Sequence, residues 1–440
     1  MASTKTMRYK NWTIPYIFSY LLFFFARKGY YRKVRKTGAE NIPKGKPVIF
    51  AINHQNSLVD PCIVATTTLT PVYFLARSDV FKIPFVSKIL HSINMMPIFR
   101  KKDGEDFKEK NLEIFAKCAT ILAKNGRIMI FPEGSHDVKN RLRILKKGIA
   151  RIALQADLLT KKDVFIVPVG LNYSNKVNKC ATLFVNYGEP INVSQVIENK
   201  LSEVENILAI MEELKPKMQN LILHCENEEF YKLYDFLLFE IKENKYYLGK
   251  NISAEFGYRK KILPKITNWT QKNKTNSITY LSNCNLITDK CIELKVKPYL
   301  FSKQKQSVVF DFLFLLFCLP IFLYGWINNY LPYILPDKLL NSKIKDTQFH
   351  PAVNMIVGTF FFSIFWIVQT FFVSIFTDNY VWFWYFLSLP ISGWLSFEYY
   401  IFYRRFMGKL NYNSLLKSNP SLMKELREKY LNLKQFKNNL

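Results

Sequence analysis

The chain reads as an α/β protein, a mixed, mainly parallel sheet with crossover helices, followed by a C-terminal transmembrane helical hairpin. Three observations predict this. From about residue 46 to residue 188, short β-branched runs alternate with helical stretches, the pattern of strands joined by crossover helices. In the last third, Pro351 to Phe376 carry no charge and Tyr380 to Tyr403 carry only Glu398, so each is long enough to cross the hydrocarbon core of a bilayer. Aromatic residues reach 16%, with 38 Phe and 25 Tyr, more than an ordinary soluble core uses. Hydrophobic residues at 49% and charged residues at 22% exclude a disordered, collagen-like or small disulfide-scaffold chain.

In chain order, Trp12 to Ala26 form an uncharged run of 15 residues, shorter than the roughly 20 that span a bilayer. It is expected to lie on the membrane or dip into it as an uncleaved anchor. Arg27, Lys28, Arg32, Lys33, Arg35 and Lys36 follow it without a small-residue cleavage pattern. Each such charge adds about 1 kcal/mol of attraction near anionic headgroups. Strands are predicted at 47–52, 72–75, 127–131, 164–169 and 182–187. A helix after Arg100 starts at an Asp103 cap, buries Phe107, Ile114, Phe115, Ile121 and Leu122, and ends at Asn125-Gly126. Residues 189–250 look helical, and 251–305 are rich in Asn and Lys with no strong period.

The run from Val308 to Ile327 is also long enough to span, yet it contains Asp311, Pro320 and Gly325 and precedes Pro332 and Pro336. Lys and Arg favour the cytoplasmic side of short loops. Clusters before 308, between 328 and 350 and after 403 all fall on one side if only 351–376 and 380–403 span, with Thr377-Asp378-Asn379 as their turn. The expectation is a hairpin of those two segments, with 308–336 broken, re-entrant or interfacial; three full spans are the alternative. The expected divisions are an N-terminal anchor and basic flank (1–36), an α/β core (37–190), a helical and polar extension (191–305) and a membrane region (306–440).

The 62 Lys and Arg against 34 Asp and Glu leave a formal net charge of +28, which calls for anionic partners: nucleic acid, phosphorylated small molecules or an acidic membrane surface. The seven cysteines are scattered and odd in number, which argues against a disulfide framework and for a reducing compartment. Cys284 and Cys291 lack the neighbouring Cys or His that a zinc site requires, so no metal is expected. No nucleic-acid reader motif is present, and nucleic acid poorly explains the apolar tail.

The chemistry sits in four short blocks. Val48 to Asp60 read VIFAINHQNSLVD, so His54 arrives at the end of an apolar strand, where α/β sheets place ligand-binding residues. A neutral imidazole there can take a proton from a hydroxyl, and Asp60 can orient it, provided that residues 55–59 form a turn. Pro61 suits a helix starting just after that turn. The later blocks are NMMPIFR (94–100), IFPEGS (130–135) and VPV (167–169).

In this order the blocks resemble the glycerolipid acyltransferase family, of the lysophosphatidate and glycerol-3-phosphate acyltransferase type, over about residues 40–190. The resemblance implies His54 as general base and Asp60 as its orienting carboxylate. It implies Arg100 as the ligand of the acceptor's phosphate, with Glu133, Gly134 and Ser135 about the glycerol portion. A guanidinium offers phosphate a planar fork of donors. Five residues stand between His54 and Asp60 where four is commonest, a form similar to the glycerol-3-phosphate subgroup. Ser135-His136 stands where Thr-Arg often follows Phe-Pro-Glu-Gly, so basic help falls to Arg141, Arg143, Lys146, Lys147 or to no residue; His136 is given no catalytic role and Pro168 only shapes backbone.

The implied reaction is direct acyl transfer from acyl-CoA or acyl-ACP to a phosphorylated glycerol at membrane lipid, with no bound cofactor and no covalent acyl-enzyme. Ser57 and Ser135 are formal nucleophiles, but no Gly-x-Ser-x-Gly elbow, Walker loop or HExxH motif occurs. The competing expectation is a noncatalytic lipid-binding or membrane-scaffold protein with the same fold.

Overall fold

The computed structural model describes residues 12–56, 59–137, 139–160, 163–176, 181–197, 202–241, 252–343, 350–377 and 380–440. The chain divides into two compact units, Met1–His224 with Asp346–Ile356, and Cys225–Lys345 with Val357–Leu440.

Among the described residues the first unit holds every strand: β1 (Lys33–Thr37), β2 (Val48–Ile52), β3 (Tyr73–Arg77), β4 (Met95–Ile98), β5 (Arg127–Ile130), β6 (Phe165–Tyr173), β7 (Thr182–Tyr187) and β8 (Ile191–Asn192). Its helices are α1 (Ile14–Tyr30), α2 (Val59–Thr68), α3 (Pro84–Ser92), α4 (Phe107–Ala123), α5 (Gly148–Thr160), α6 (Val193–Val196) and α7 (Glu203–Gln219). The sheet order is β1-β7-β6-β2-β5-β3-β4, with β8 paired to β6. β6 runs antiparallel to β7 and β8, and the other pairs are parallel. The mixed, mainly parallel sheet with crossover helices is as the alternation predicts.

Central strands explain why the sequence is legible here. Every residue of β2, Val-Ile-Phe-Ala-Ile, is buried, as befits a parallel strand covered on both faces. One face packs Ile49, Ala51, Ile128 and Ile130 against α4, α5 and α7. The other packs Phe50, Ile52, Met129 and Val167 against α2 and the C-terminal end of α1. β1, β4 and β8 escape sequence prediction because they are short or lie at edges, where alternation is weak. β1 is KVRKT, a charged edge strand of the kind that blocks further pairing.

α4 ends as predicted, with Asn125 at φ +57° and Gly126 N–H bonded to the Ile121 carbonyl at 3.0 Å. It does not start at Asp103, however: the helix begins at Phe107 behind Asp106. The Asp103 carboxylate is taken instead by the Arg100 backbone N–H at 2.8 Å.

The N-terminal apolar run is α1, and Pro at its second position suits a helix start. Tyr16, Ala26 and Tyr30 are buried, whereas Ile14, Phe18, Leu21 and Phe25 are exposed along the opposite face. The helix thus joins the core by one stripe and leaves a second apolar stripe uncovered.

The second unit is helical: α8 (Tyr231–Asp235), α9 (Ile252–Lys272), α10 (Lys274–Glu293), α11 (Val309–Lys343), α12 (His350–Phe376, whose first turns belong to the other unit), α13 (Val381–Ser418) and α14 (Pro420–Asn438). Among the described residues two helices are long and apolar enough to cross a membrane, Val309–Leu339 and Val353–Phe376, consistent with a C-terminal hairpin; the second is the expected 351–376 arm, and the first lies outside the expected pair. Region 308–336 is helical through Pro320, Pro332 and Pro336, but it bends back as a broken or re-entrant segment would: with Trp366 and Gln369 of α12 on Asn329 and Asn328, a straight α11 would end too far from the start of α12 for the few residues between them. Neighbouring side chains compensate the lost backbone bonds of such prolines in apolar bundles. The first part of α11 runs antiparallel along α13, with Lys409 Nζ on Asp311 Oδ2 at 2.5 Å, Ser396 Oγ on the Phe322 carbonyl at 2.9 Å and Asn329 Nδ2 on the Leu389 carbonyl at 3.2 Å. Of the predicted turn at 377–379, Asp378 and Asn379 lie outside the described residues.

Candidate active site

The carboxyl ends of parallel strands share one edge of the sheet, and four of them supply the site. His54 follows β2, Phe131 to Ser135 follow β5, Asp79 follows β3 and Arg100 follows β4. The first step is to hold the turn after β2. The Asn53 side chain pairs with β6 as a backbone would, donating from Nδ2 to the Leu171 carbonyl at 3.1 Å and accepting the Leu171 N–H at 2.7 Å. That extends the ladder one residue and delivers His54 at its end.

The turn brings the predicted pair together. His54 Nδ1 lies 2.8 Å from Asp60 Oδ2, and Asp60 sits in the first turn of α2, where the helix dipole favours a carboxylate. Ser57 lies outside the described residues. Asp60 is fully buried, and a buried carboxylate demands donors. The Gln55 and Asn56 backbone N–H groups each donate to Oδ2 at 2.8 Å, and Tyr173 Oη donates to Oδ1 at 2.5 Å. With Nδ1 carrying its proton toward Asp60, Nε2 is the basic nitrogen of the imidazole.

Tyr173 is a residue that motif reading misses. Its phenol is held far above the ordinary range by burial and then by the Asp60 charge, so it remains a donor. The signal was available: Tyr173 ends β6, and β6 is parallel to β2. Cys62, beside Asp60, is pushed up to about 12 by burial and that same charge, which disfavours a thiolate nucleophile.

The loop after β5 closes over His54. The Phe131 ring stacks on the imidazole at 4.3 Å, and the His136 ring stands edge-on at 5.6 Å. Gly134 takes φ +73°, the left-handed conformation that suits glycine, and its N–H closes the turn onto the Phe131 carbonyl at 3.0 Å. Glu133, also buried, accepts the His54 backbone N–H at 3.0 Å and Arg143 Nε at 3.2 Å. Burial raises the Glu133 carboxyl above its usual range, while the His54 N–H and the Arg143 charge pull the other way. Arg143 also donates to Ser135, reaching its carbonyl and, at 2.7 Å, its Oγ. Of the four basic candidates, Arg143 is thus one whose side chain bonds to this block. Lys146 meets it through its backbone N–H, 2.7 Å from the Pro132 carbonyl.

Arg100 stands in a second cluster on the same edge. Its Nη2 lies 3.1 Å from Asp79 Oδ2 and 3.4 Å from Asp103 Oδ1. Asp79 also pairs with Arg77, and Ser78 Oγ donates to Asp103 at 2.7 Å. Asp79 is held below the usual carboxylate range first by its bond from Arg77, and Asp103 by those from Ser78 and the Arg100 N–H. Three strand steps separate β2 from β4, about 14 Å at about 4.8 Å each. The structure thus joins His54, Asp60, Glu133 and Ser135 directly, with Gly134 in their turn, and places Arg100 apart. Among the described residues, no group of three His, Cys, Asp or Glu could hold a metal ion.

Comparison with known proteins bears on this arrangement. Residues 33–172 match the family model described as acyltransferase. Over 143 residues the chain is 31% identical to the 1-acyl-sn-glycerol-3-phosphate acyltransferase of Borreliella burgdorferi, covering 32% of this chain and 52% of that one. Residues 33–172 are thus similar to an acyltransferase-family domain. The chain is also 26% identical over 147 residues to a chloroplastic 1-acyl-sn-glycerol-3-phosphate acyltransferase of Arabidopsis thaliana, 33% of this chain and 37% of that one. Identity with glycerol-3-phosphate O-acyltransferase 1 of Saccharomyces cerevisiae is 32% over 122 residues, 26% of this chain and 16% of that one. The chain thus spans about half the length of the Borreliella relative and less of the other two. The solved 1-acyl-sn-glycerophosphate acyltransferase of Thermotoga maritima aligns with 46% of this chain and 78% of its own at 21% identity and a TM-score of 0.33. The matched residues hold all four sequence blocks, from His54 to Pro168.

Proposed function

We propose that the protein is a membrane glycerolipid O-acyltransferase that moves a fatty acyl group from a thioester donor to glycerol-3-phosphate or 1-acylglycerol-3-phosphate in phospholipid synthesis. The observation that carries this reading is the buried Asp60, which accepts from four donors and holds Nδ1 of His54. Such an arrangement leaves Nε2 as a base and steadies the imidazolium once it forms.

In the proposed reaction, Nε2 takes the proton of the acceptor hydroxyl as its oxygen attacks the thioester carbonyl. The tetrahedral intermediate then collapses, the carbon–sulfur bond breaks, and the departing thiolate takes the proton back from His54. Glu133 and Arg143 fix the turn beneath the reacting atoms. Arg100 meets the acceptor's phosphate; among the described residues its Nη1 makes no hydrogen bond, so part of the donor fork remains open to phosphate oxygens. The apolar helices hold the enzyme in the membrane where its lipid product belongs, with the catalytic domain on the cytoplasmic side.

The test is acyl transfer by the full chain in lipid vesicles, supplied separately with glycerol-3-phosphate, dihydroxyacetone phosphate or lysophosphatidate and with either acyl-CoA or acyl-ACP. Transfer to at least one phosphorylated acceptor, lost in His54→Ala, is the expected result. No transfer with any pair would favour the noncatalytic lipid-binding reading.

A further inference from the structure

The first unit carries a helix that contributes nothing to its core. No residue of α3, PFVSKILHS, is buried, although four of its nine residues are large and apolar by sequence. Phe85 is 73% exposed, and Ile83 just before the helix is 62% exposed. Ile89, one helical turn on, and Val80 in the approach to the helix are exposed as well. A single exposed apolar side chain needs no explanation, but a cluster of four on one β3–β4 connection does.

Two further observations say what covers it. Lys82 and Lys88 are exposed between these apolar residues, and α3 itself contains no acidic residue. Apolar groups interleaved with lysine are the composition of helices that lie in a lipid interface. The cluster also continues into the uncovered stripe of α1, because Thr13 Oγ1, at the cap of α1, lies 3.4 Å from the Ser92 carbonyl at the end of α3. Ile14, the next residue, is 84% exposed.

We propose that α3 and its approach, together with the outer face of α1, form a docking surface that seats the β3–β4 edge of the first unit on an anionic bilayer. Asp79 and Arg100 flank that connection, so docking holds the Arg100 cluster at headgroup depth. The surface stands on geometry alone and does not depend on which reaction the site performs.

The test uses the full chain in nanodiscs of phosphatidylcholine with phosphatidylglycerol. Nitroxide labels are attached at Phe85→Cys, Ile83→Cys and Ile89→Cys, and the signal from native cysteines is subtracted with the labelled parent chain. Power saturation by oxygen is expected to exceed that by a water-soluble nickel chelate at these positions, and the order is expected to reverse at Lys44→Cys. If one variant fails to accumulate, the other two carry the same comparison. Labels as accessible to nickel as at Lys44→Cys would overturn the proposal, as would dipolar broadening between labels showing that a second copy of the chain covers the surface. Lys82→Glu with Lys88→Glu is expected to move the labels outward in anionic discs; unchanged depth would remove the requirement for anionic lipid.

Discussion

At the scale of single residues, the candidate chemistry depends on one imidazole held by one buried carboxylate. A general base is worth about 10²–10⁴ in rate, so His54→Ala should cost at least about that factor in kcat while the protein still enters membranes. Activity within tenfold of the parent would remove the base. Tyr173 tests the same claim indirectly, since it touches Asp60 and not the imidazole. A hydrogen bond to a buried charge is worth about 1.5–3 kcal/mol. Tyr173→Phe should therefore lower kcat with little change in KM and shift the pH profile of kcat, whereas a merely structural tyrosine would move neither. Glu133 makes a prediction about pH. Its carboxyl is raised in the folded state, chiefly by burial, so the folded protein holds that proton more tightly than the unfolded chain does. Stability then falls as pH rises from the ordinary glutamate value through the raised one, and is level above it. Glu133→Gln, which cannot ionise, should gain in thermal midpoint relative to the parent over that window. A difference that does not vary with pH would contradict the shift. His54 and Asp60 could be picked from the sequence because strand end, turn and helix start are local signals. Tyr173 and Arg143 could not be ranked that way, since their partners lie 113 and 10 residues away and only the fold brings them in.

At the scale of elements, legibility follows burial and length. Central strands such as β2 announce themselves as unbroken apolar runs, and α4 shows a periodic face. Edge strands β1 and β4 are short and mixed, so nothing in their residues separates them from loops. In α11 the prolines are the legible signal: in water an interior proline breaks or kinks a helix, and in an apolar bundle neighbouring groups satisfy the backbone it frees. Asn329 shows how. Its side chain accepts from Trp366 Nε1 at 2.9 Å and donates to the Gly325 and Leu389 carbonyls at 3.0 and 3.2 Å, tying three helices at one level. Such bonds in apolar bundles are worth about 0.6 kcal/mol on average and up to about 1.7, so Asn329→Leu should destabilise by about that range. Gly325 gives a sharper test. A Cβ there would collide with the Ser392 carbonyl and Ser396 Oγ, whereas one at Gly358 would meet nothing. Gly325→Leu should cost at least the roughly 1–3 kcal/mol of an overpacked contact, and Gly358→Leu much less, read as thermal midpoints in the same detergent. Equal midpoints would mean that α11 and α13 do not approach so closely.

For the whole molecule, charge and apolar length together decide how it meets a bilayer. The net charge of +28 is unevenly spread along the chain: Lys295, Lys297, Lys303 and Lys305 precede α11, and Arg404, Arg405 and Lys409 lie in the later part of α13. The sequence alone reconciles these clusters with one cytoplasmic side by taking 308–336 out of the membrane. The structure fits that reading. The first part of α11 is antiparallel to α13 and Lys409 pairs with Asp311 near the start of α11, so both clusters lie at one end of the helix pair, as a re-entrant α11 beside a hairpin of α12 and α13 requires. The positive-inside rule then assigns that end to the cytoplasm. The proposed function, which would draw on acyl thioesters, calls for a cytoplasmic catalytic domain as well. In sealed vesicles, cysteines placed at Lys44, Lys303 and Lys417 should react with an impermeant reagent from one face, and a cysteine at Tyr380 should react only from the other. Labelling of Lys303→Cys and Lys417→Cys from opposite faces would show that α11 and α13 do not lie as an antiparallel pair, because a pair joined at Asp311 and Lys409 cannot place those two ends across a bilayer from each other.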